Sequence, residues 1–213
     1  MTRSGIRAVL FDFNGTISQD EPVWFEVYRD LYAAQGRPIT SEEYFAQLAG
    51  LSDEEGVATW LGRPHPELIE EGIARYIERA SDGSTVPREA REAVAAAAAS
   101  VPVGIVTTAR RRVLEQVIGA AGLAPHVTFT VTAEDVTRTK PDPEGYVAAL
   151  ARLEGVPAGD VLVFEDTPLG VAAARAAGMR CVAVLGTAPP ERLGEADEII
   201  ARLDAAAIRR LLD

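Results

Sequence analysis

Lysine is nearly absent: of 21 basic residues, Lys140 is the single lysine and the others are arginines. Cysteine is as scarce, and Cys181 alone can neither close an internal disulfide nor build a thiolate metal cluster, so no oxidising compartment is implied. No apolar run approaches the ~20 residues that a membrane-spanning helix needs. The opening residues, Met1 to Arg7, lead toward a strand rather than a signal-peptide apolar segment, and the expected location is cytoplasmic. Positive charge is also in short supply. Thirty-two acidic residues give a net charge of −11, which argues against nucleic acid or an anionic membrane as a partner, because both are bound through clustered Lys and Arg. What is present, 213 residues at 47% hydrophobic and 25% charged, suits one folded domain with a modest insertion.

Short apolar, β-branched stretches at 7–13, 101–107, 127–132, 161–165, 180–185 and, more weakly, 198–200 read as strands buried on both faces. Amphipathic patterns at 87–100, 110–121, 143–154 and 168–177 alternate with them. Prolines stand at the starts of three of these patterns and Gly122, Gly155 and Gly178 near the stops. The alternation predicts an α/β fold with a doubly wound parallel sheet. Between 17 and 85 the strands vanish, leaving helical patterns at 23–35, 41–48, 53–61 and 66–80. The expected organisation is therefore a core of 1–16 and 86–213 carrying an inserted all-helical unit, 17–85.

Four segments carry chemistry. Asp12 ends the first strand ahead of Asn14-Gly15-Thr16, at the sheet edge where ligands of open α/β folds bind, though an Asp also caps turns. Thr107 and Thr108 end the second strand before a helix, where hydroxyls and free backbone N–H groups can hold phosphate oxygens or simply cap the helix. Lys140, in Thr139-Lys140-Pro141-Asp142, offers a compact ammonium in a chain that otherwise uses planar guanidinium groups, or is a leftover surface lysine. Glu165 and Asp166 end another strand, and adjacent carboxylates call for a cation, with Mg²⁺ favouring such oxygen ligands.

In this order and spacing the four segments resemble the haloacid dehalogenase superfamily of aspartate-nucleophile phosphohydrolases, over essentially the whole chain. The Lys140-Pro141-Asp142-Pro143 sequence, the run Glu165 to Ala174 and the site of the insert are similar to its beta-phosphoglucomutase and phosphoglycolate phosphatase-like branch. The resemblance implies a Rossmann-like core with a helical cap, Asp12 as nucleophile, and Thr107 and Lys140 gripping the phosphoryl group. It also implies Mg²⁺ held by Asp12, the backbone carbonyl of Asn14, Glu165 and Asp166, and a small phosphorylated metabolite as substrate. Three carboxylates, Lys140 and one divalent cation cancel, leaving a site that can accept a phosphate dianion.

Position 14 departs from the family pattern, which has an acid/base Asp there. An amide donates and accepts hydrogen bonds but does not exchange protons at neutral pH, and such proton transfer is worth about 10²–10⁴-fold. Two expectations follow: a working phosphatase with another proton donor, Glu21 or His65 in the cap, or a slow or inactive homologue that binds Mg²⁺ and a phosphometabolite as a regulatory module. Deamidation of Asn14-Gly15 is a third route to a carboxylate. A cap without lysine removes Schiff-base phosphonate chemistry, the Glu165-Asp166 pair argues against metal-free dehalogenation, and Asp53 after Gly50-Leu51-Ser52 argues against a mutase. Gly50 and Ser52 are expected to face the substrate, with Thr108 and Arg110 contacting it. Trp24, Phe25, Tyr28 and Tyr32 are expected in the cap core. Segments 17–21 and 81–85 are the expected hinges.

Overall fold

A computed structural model describes residues 5–213 of the chain; the expected core residues 1–4 lie outside the described residues. Six strands form one sheet: β1 (Ala8–Phe11), β2 (Val103–Val106), β3 (Phe129–Val131), β4 (Val161–Glu165), β5 (Arg180–Val184) and β6 (Glu198–Ile200). Their order is β3-β2-β1-β4-β5-β6 and every pairing is parallel. β1, β2 and β4 are buried throughout, which is why they read as unbroken apolar runs rather than alternating ones. Alternate residues nevertheless serve different faces. Val9, Phe11, Ile105 and Phe164 join one hydrophobic cluster, and Leu10, Val106 and Val163 the other.

The chain winds outward from β1 to β3, then returns to β4 on the other side of β1. Ligands of open parallel sheets bind at such a reversal, outside the carboxyl ends of the strands. Register fixes what stands there: Phe11 pairs with Ile105 on one side and Phe164 on the other, so Asp12 emerges level with Glu165.

Four helices, α1 (Glu21–Ala34), α2 (Ser41–Gln47), α3 (Asp53–Leu61) and α4 (Pro66–Ala80), intervene between β1 and α5 (Arg88–Ala98). Thr40 with Glu43 and Ser52 with Glu55 form capping boxes that start α2 and α3. Trp24 stacks on Tyr76 with ring centroids 4.2 Å apart, and Tyr28 on Tyr32 at 5.3 Å, so Trp24, Tyr28 and Tyr32 lie in the interior of the insert, with Phe25 half-buried against it. The two connecting segments run side by side: Gln19 N–H donates to Thr85 O at 2.8 Å and the Ser18 hydroxyl to Thr85 Oγ1 at 2.8 Å.

The remaining helices are α6 (Arg111–Ala120), α7 (Glu144–Ala151), α8 (Pro168–Ala176) and α9 (Ala205–Leu212). The sequence reading omits α9, which Asp204 caps through the Ala207 N–H and which packs on α5. It also extends β1, β2, β3 and β5 beyond their ladders, because apolar character continues past the last paired residue. Among the described residues no helix is long and apolar enough to cross a membrane.

Candidate active site

Parallel pairing delivers three acidic side chains and the lone lysine to one sheet edge. Lys140 Nζ lies 2.5 Å from Asp12 Oδ1 and 2.5 Å from Glu165 Oε1, and 3.3 Å from the Val106 carbonyl. The Tyr146 hydroxyl donates to the same Glu165 oxygen at 2.6 Å, while Oε2 accepts from the Asp166 N–H at 3.3 Å and the Thr167 hydroxyl at 3.5 Å. Asp166 Oδ1 accepts from the Thr16 hydroxyl at 3.0 Å, but its Oδ2 is buried without a partner among the described residues. Asp12, Glu165 and Asp166 each offer an oxygen within 4.8 Å of the others.

The electrostatics describe a site short of one cation. Burial opposes the Lys140 ammonium, yet the Asp12 and Glu165 carboxylates outweigh it and hold the lysine protonated above its ordinary range. Burial, then the charges of Glu165 and Asp166, push Asp12 well above the usual carboxylate range in spite of Lys140. Asp166 is pushed up to about 8, chiefly by burial and then by the Glu165 charge. One lysine cannot compensate three buried carboxylates.

Two glycines make room for this packing. A Cβ on Gly15, where φ is +77°, would stand 2.0 Å from Asp166 Oδ2, and one on Gly170 would stand 1.9 Å from the Glu165 carboxyl. Glu165 is pinned by Lys140 and Tyr146 and cannot swing away freely. Gly170→Ala is accordingly expected to destabilise the fold by about 1–3 kcal/mol, read as a lower midpoint in urea denaturation, and to loosen Lys140.

Asn14 stands on the other side of Asp12. Its Nδ2 donates to Asp20 Oδ2 at 2.7 Å, and the Tyr76 hydroxyl donates to that same oxygen at 2.5 Å. The Asn14 carbonyl oxygen accepts a long 3.4 Å contact from the Thr107 hydroxyl, which also caps the Ala109 N–H at 3.0 Å. Beside Asn14 opens a cavity of about 60 Å³ whose wall includes Glu21, Tyr28, Asp53 and Thr108. Burial, then the neighbouring Asp20 charge, pushes Glu21 up to about 8.

Gly50 and Ser52 reach this cavity, Gly50 packing on Thr167 and the Ser52 hydroxyl being engaged in its capping box with Glu55. Arg110 does not line it: the guanidinium pairs with Glu54 and borders an outer groove shared with Thr139, Lys140 and Pro141. His65 sits in a separate depression with Pro64 and Ile69, so of the two expected proton donors the structure brings only Glu21 to Asn14. Sequence reasoning missed Asp20, Tyr146 and Thr187. The Thr187 hydroxyl stands close to the Asp166 carboxyl from beyond β5, and no sequence spacing announces it. Asp20 did leave a signal, as half of an Asp-Glu pair next to an apolar helix start.

A buried aspartate beside a lysine and paired carboxylates, at the carboxyl edge of a parallel sheet and under a helical insert, is the arrangement of a phosphoric monoester hydrolase. Residues 9–184 match the family model for haloacid dehalogenase-like hydrolases, and the chain belongs to that family. It is 29% identical to validoxylamine A 7'-phosphate phosphatase of Streptomyces hygroscopicus subsp. limoneus, over 91% of this chain and 92% of that one. To the phosphorylated carbohydrates phosphatase of Thermotoga maritima it is 30% identical, over 82% of each. A structure of a mutant CbbY from Rhodobacter sphaeroides, in complex with xylulose-(1,5)bisphosphate, superposes with a TM-score of 0.86 at 25% identity, covering 98% of this chain and 99% of that one.

Proposed function

We propose that this chain is a Mg²⁺-dependent phosphatase that hydrolyses a small phosphorylated carbohydrate or polyol through an aspartyl-phosphate on Asp12, with Asn14 where the family carries its acid/base aspartate. One observation carries the reading: a carboxylate with a free buried oxygen, Asp166, stands beside Asp12 in a cluster whose only lysine is already shared. Hard divalent cations take such oxygens, so the donor set fits Mg²⁺ held by Asp12, Asp166 and the Asn14 backbone carbonyl, with Glu165 alongside. When bound, Mg²⁺ supplies charge neutralisation at the phosphoryl oxygens.

The chain's own residues do the remainder. An Asp12 oxygen attacks phosphorus, the bond from phosphorus to the ester oxygen breaks, and the alcohol departs with a proton from solvent or a cavity group. Lys140 and the Thr107 hydroxyl stabilise the equatorial oxygens of the transferring group. Water then attacks the acyl phosphate, releasing inorganic phosphate and restoring the Asp12 carboxylate. Asp20 draws the Asn14 amide nitrogen toward itself, so Asn14 offers its oxygen to the site and acts as an acceptor that can orient this water.

That same orientation favours a second reading, a slow or inactive homologue that binds Mg²⁺ and a phosphometabolite, because the Asn14 donor is engaged elsewhere. Phosphate release from a panel of sugar and polyol monophosphates separates the two. The phosphatase reading expects release that stops with EDTA and returns with Mg²⁺. Release from no ester, with tight Mg²⁺-dependent binding of one, favours the binding module; release undiminished in Asp12→Asn overturns both.

A further inference from the structure

Resting on the phosphatase reading, we infer that the cavity beside Asn14 selects leaving groups that are hydroxylated or amino-bearing and carry no second anionic group. The cavity wall holds two acidic residues, Glu21 and Asp53, and none of its residues is a lysine, arginine or histidine. Glu21 is buried and Asp53 half-buried, and each is anchored by a tyrosine of the same wall. The Tyr44 hydroxyl donates to Glu21 Oε2 at 3.0 Å and the Tyr28 hydroxyl to Asp53 Oδ1 at 2.6 Å. Asp20 stands directly behind Asn14 and adds a third carboxyl to this side of the site. Arg110 reaches Asp53 electrostatically, but its charge is already paired with Glu54 at the outer groove.

A second phosphate or a carboxylate on the substrate would therefore lie against like charge, with the Arg110 guanidinium outside the cavity wall and engaged by Glu54. A hydroxyl meets the opposite situation. Burial pushes Glu21 up to about 8, so near neutral pH it is a carboxylic acid that can donate to or accept from an alcohol. Asp53, pushed up to about 6 mainly by burial, is there largely as an anion that accepts from a hydroxyl or an ammonium. The rings of Trp24, Tyr28 and Tyr32 form stacked pairs with centroids 5.7 and 5.3 Å apart. These rings cover one another's faces, so what they present to the cavity is an apolar wall behind the two carboxyls.

The test is a matched set of hexose esters with Mg²⁺: glucosamine 6-phosphate, glucose 6-phosphate, 6-phosphogluconate and glucose 1,6-bisphosphate, with p-nitrophenyl phosphate as a general monitor of hydrolysis. The expected kcat/KM for the first two exceeds that for the last two by at least about tenfold, with the amino sugar favoured over the neutral one. Asp53→Asn is expected to shrink that amino-to-neutral ratio, because it removes the anion of the cavity wall. Turnover of p-nitrophenyl phosphate with equal or better use of the bisphosphate or the carboxylate overturns the inference while leaving the phosphatase intact. Were all five esters inert, the phosphatase reading would fall. Calorimetric Kd values for the four sugars would then decide the inference: the same order supports it, and equal or undetectable binding overturns it.

Discussion

Asn14→Asp alone is expected to gain little activity, whereas Asn14→Asp combined with Asp20→Ser is expected to raise kcat/KM by about 10²–10⁴-fold, the usual worth of a positioned acid/base. The reason is the 2.7 Å contact between Asn14 Nδ2 and Asp20 Oδ2. An aspartate at 14 would place two buried carboxyl groups at hydrogen-bond distance. Such a pair shares one proton, and that proton is held between the two instead of being delivered to a leaving group. Asp20 is already pushed up to about 6 by burial, with the Tyr76 and Asn14 hydrogen bonds opposing the shift, so losing the amide donor raises it further. The single variant is also expected to lose about 1–3 kcal/mol of stability, more at pH 8 than at pH 5. The serine of the double variant removes the second carboxyl while keeping a hydroxyl that can orient the first. Steady-state kinetics on the best ester and urea denaturation at both pH values check this. A single variant that alone reaches the full gain would show that Asp20 does not constrain position 14.

The Asn14–Asp20 pairing marks where the sequence stops being legible. The strand ends that carry Asp12, Thr107 and Glu165-Asp166 could be read because each strand is buried on both faces and its apolar run stops where the chain leaves the sheet. The helical insert was legible as a stretch without strand pattern, and its starts at Asp53 and Pro66 because capping and proline chemistry are local. Asp20 was not, since its role depends on the segment after β1 folding back. Gly15 N–H bonds Ser18 O at 2.7 Å and Ser18 N–H bonds Phe13 O at 2.9 Å, which returns Asp20 to Asn14. The pairing of Arg110 with Glu54 was illegible for a similar reason: the acidic start of α3 lies opposite it and captures the guanidinium. Tyr146 and Thr187 come from distant elements that only the completed sheet brings to the carboxylates.

Lys140→Met is expected to destabilise the metal-free protein by about 3–5 kcal/mol, the cost of removing one partner from a buried ion pair, and to lower kcat by about 10²–10³-fold through the lost charge at the phosphoryl oxygens. The stability loss carries a pH signature whose sign can be derived. Asp12 and Asp166 titrate higher in the folded chain than the ordinary 3.8, Asp166 at about 8. Between those limits the folded state holds protons that the unfolded state has released, so stability falls as pH rises from about 4 to about 8. Lys140 opposes the rise at Asp12, and its loss must steepen the slope. A divalent cation that takes the free Asp166 oxygen acts in the opposite sense: it favours the ionised carboxylates and binds the folded chain, adding about 2.7 kcal/mol at a hundredfold excess over its Kd. Thermal midpoints in EDTA should therefore decline with pH in the parent and more steeply in the variant, and saturating Mg²⁺ should flatten both curves. A metal-free variant as stable as the parent across that range would mean that the three carboxylates are compensated by something other than Lys140 and a divalent cation. The assignment of Asp12 as a phosphoryl acceptor beside a metal would then lose its electrostatic basis.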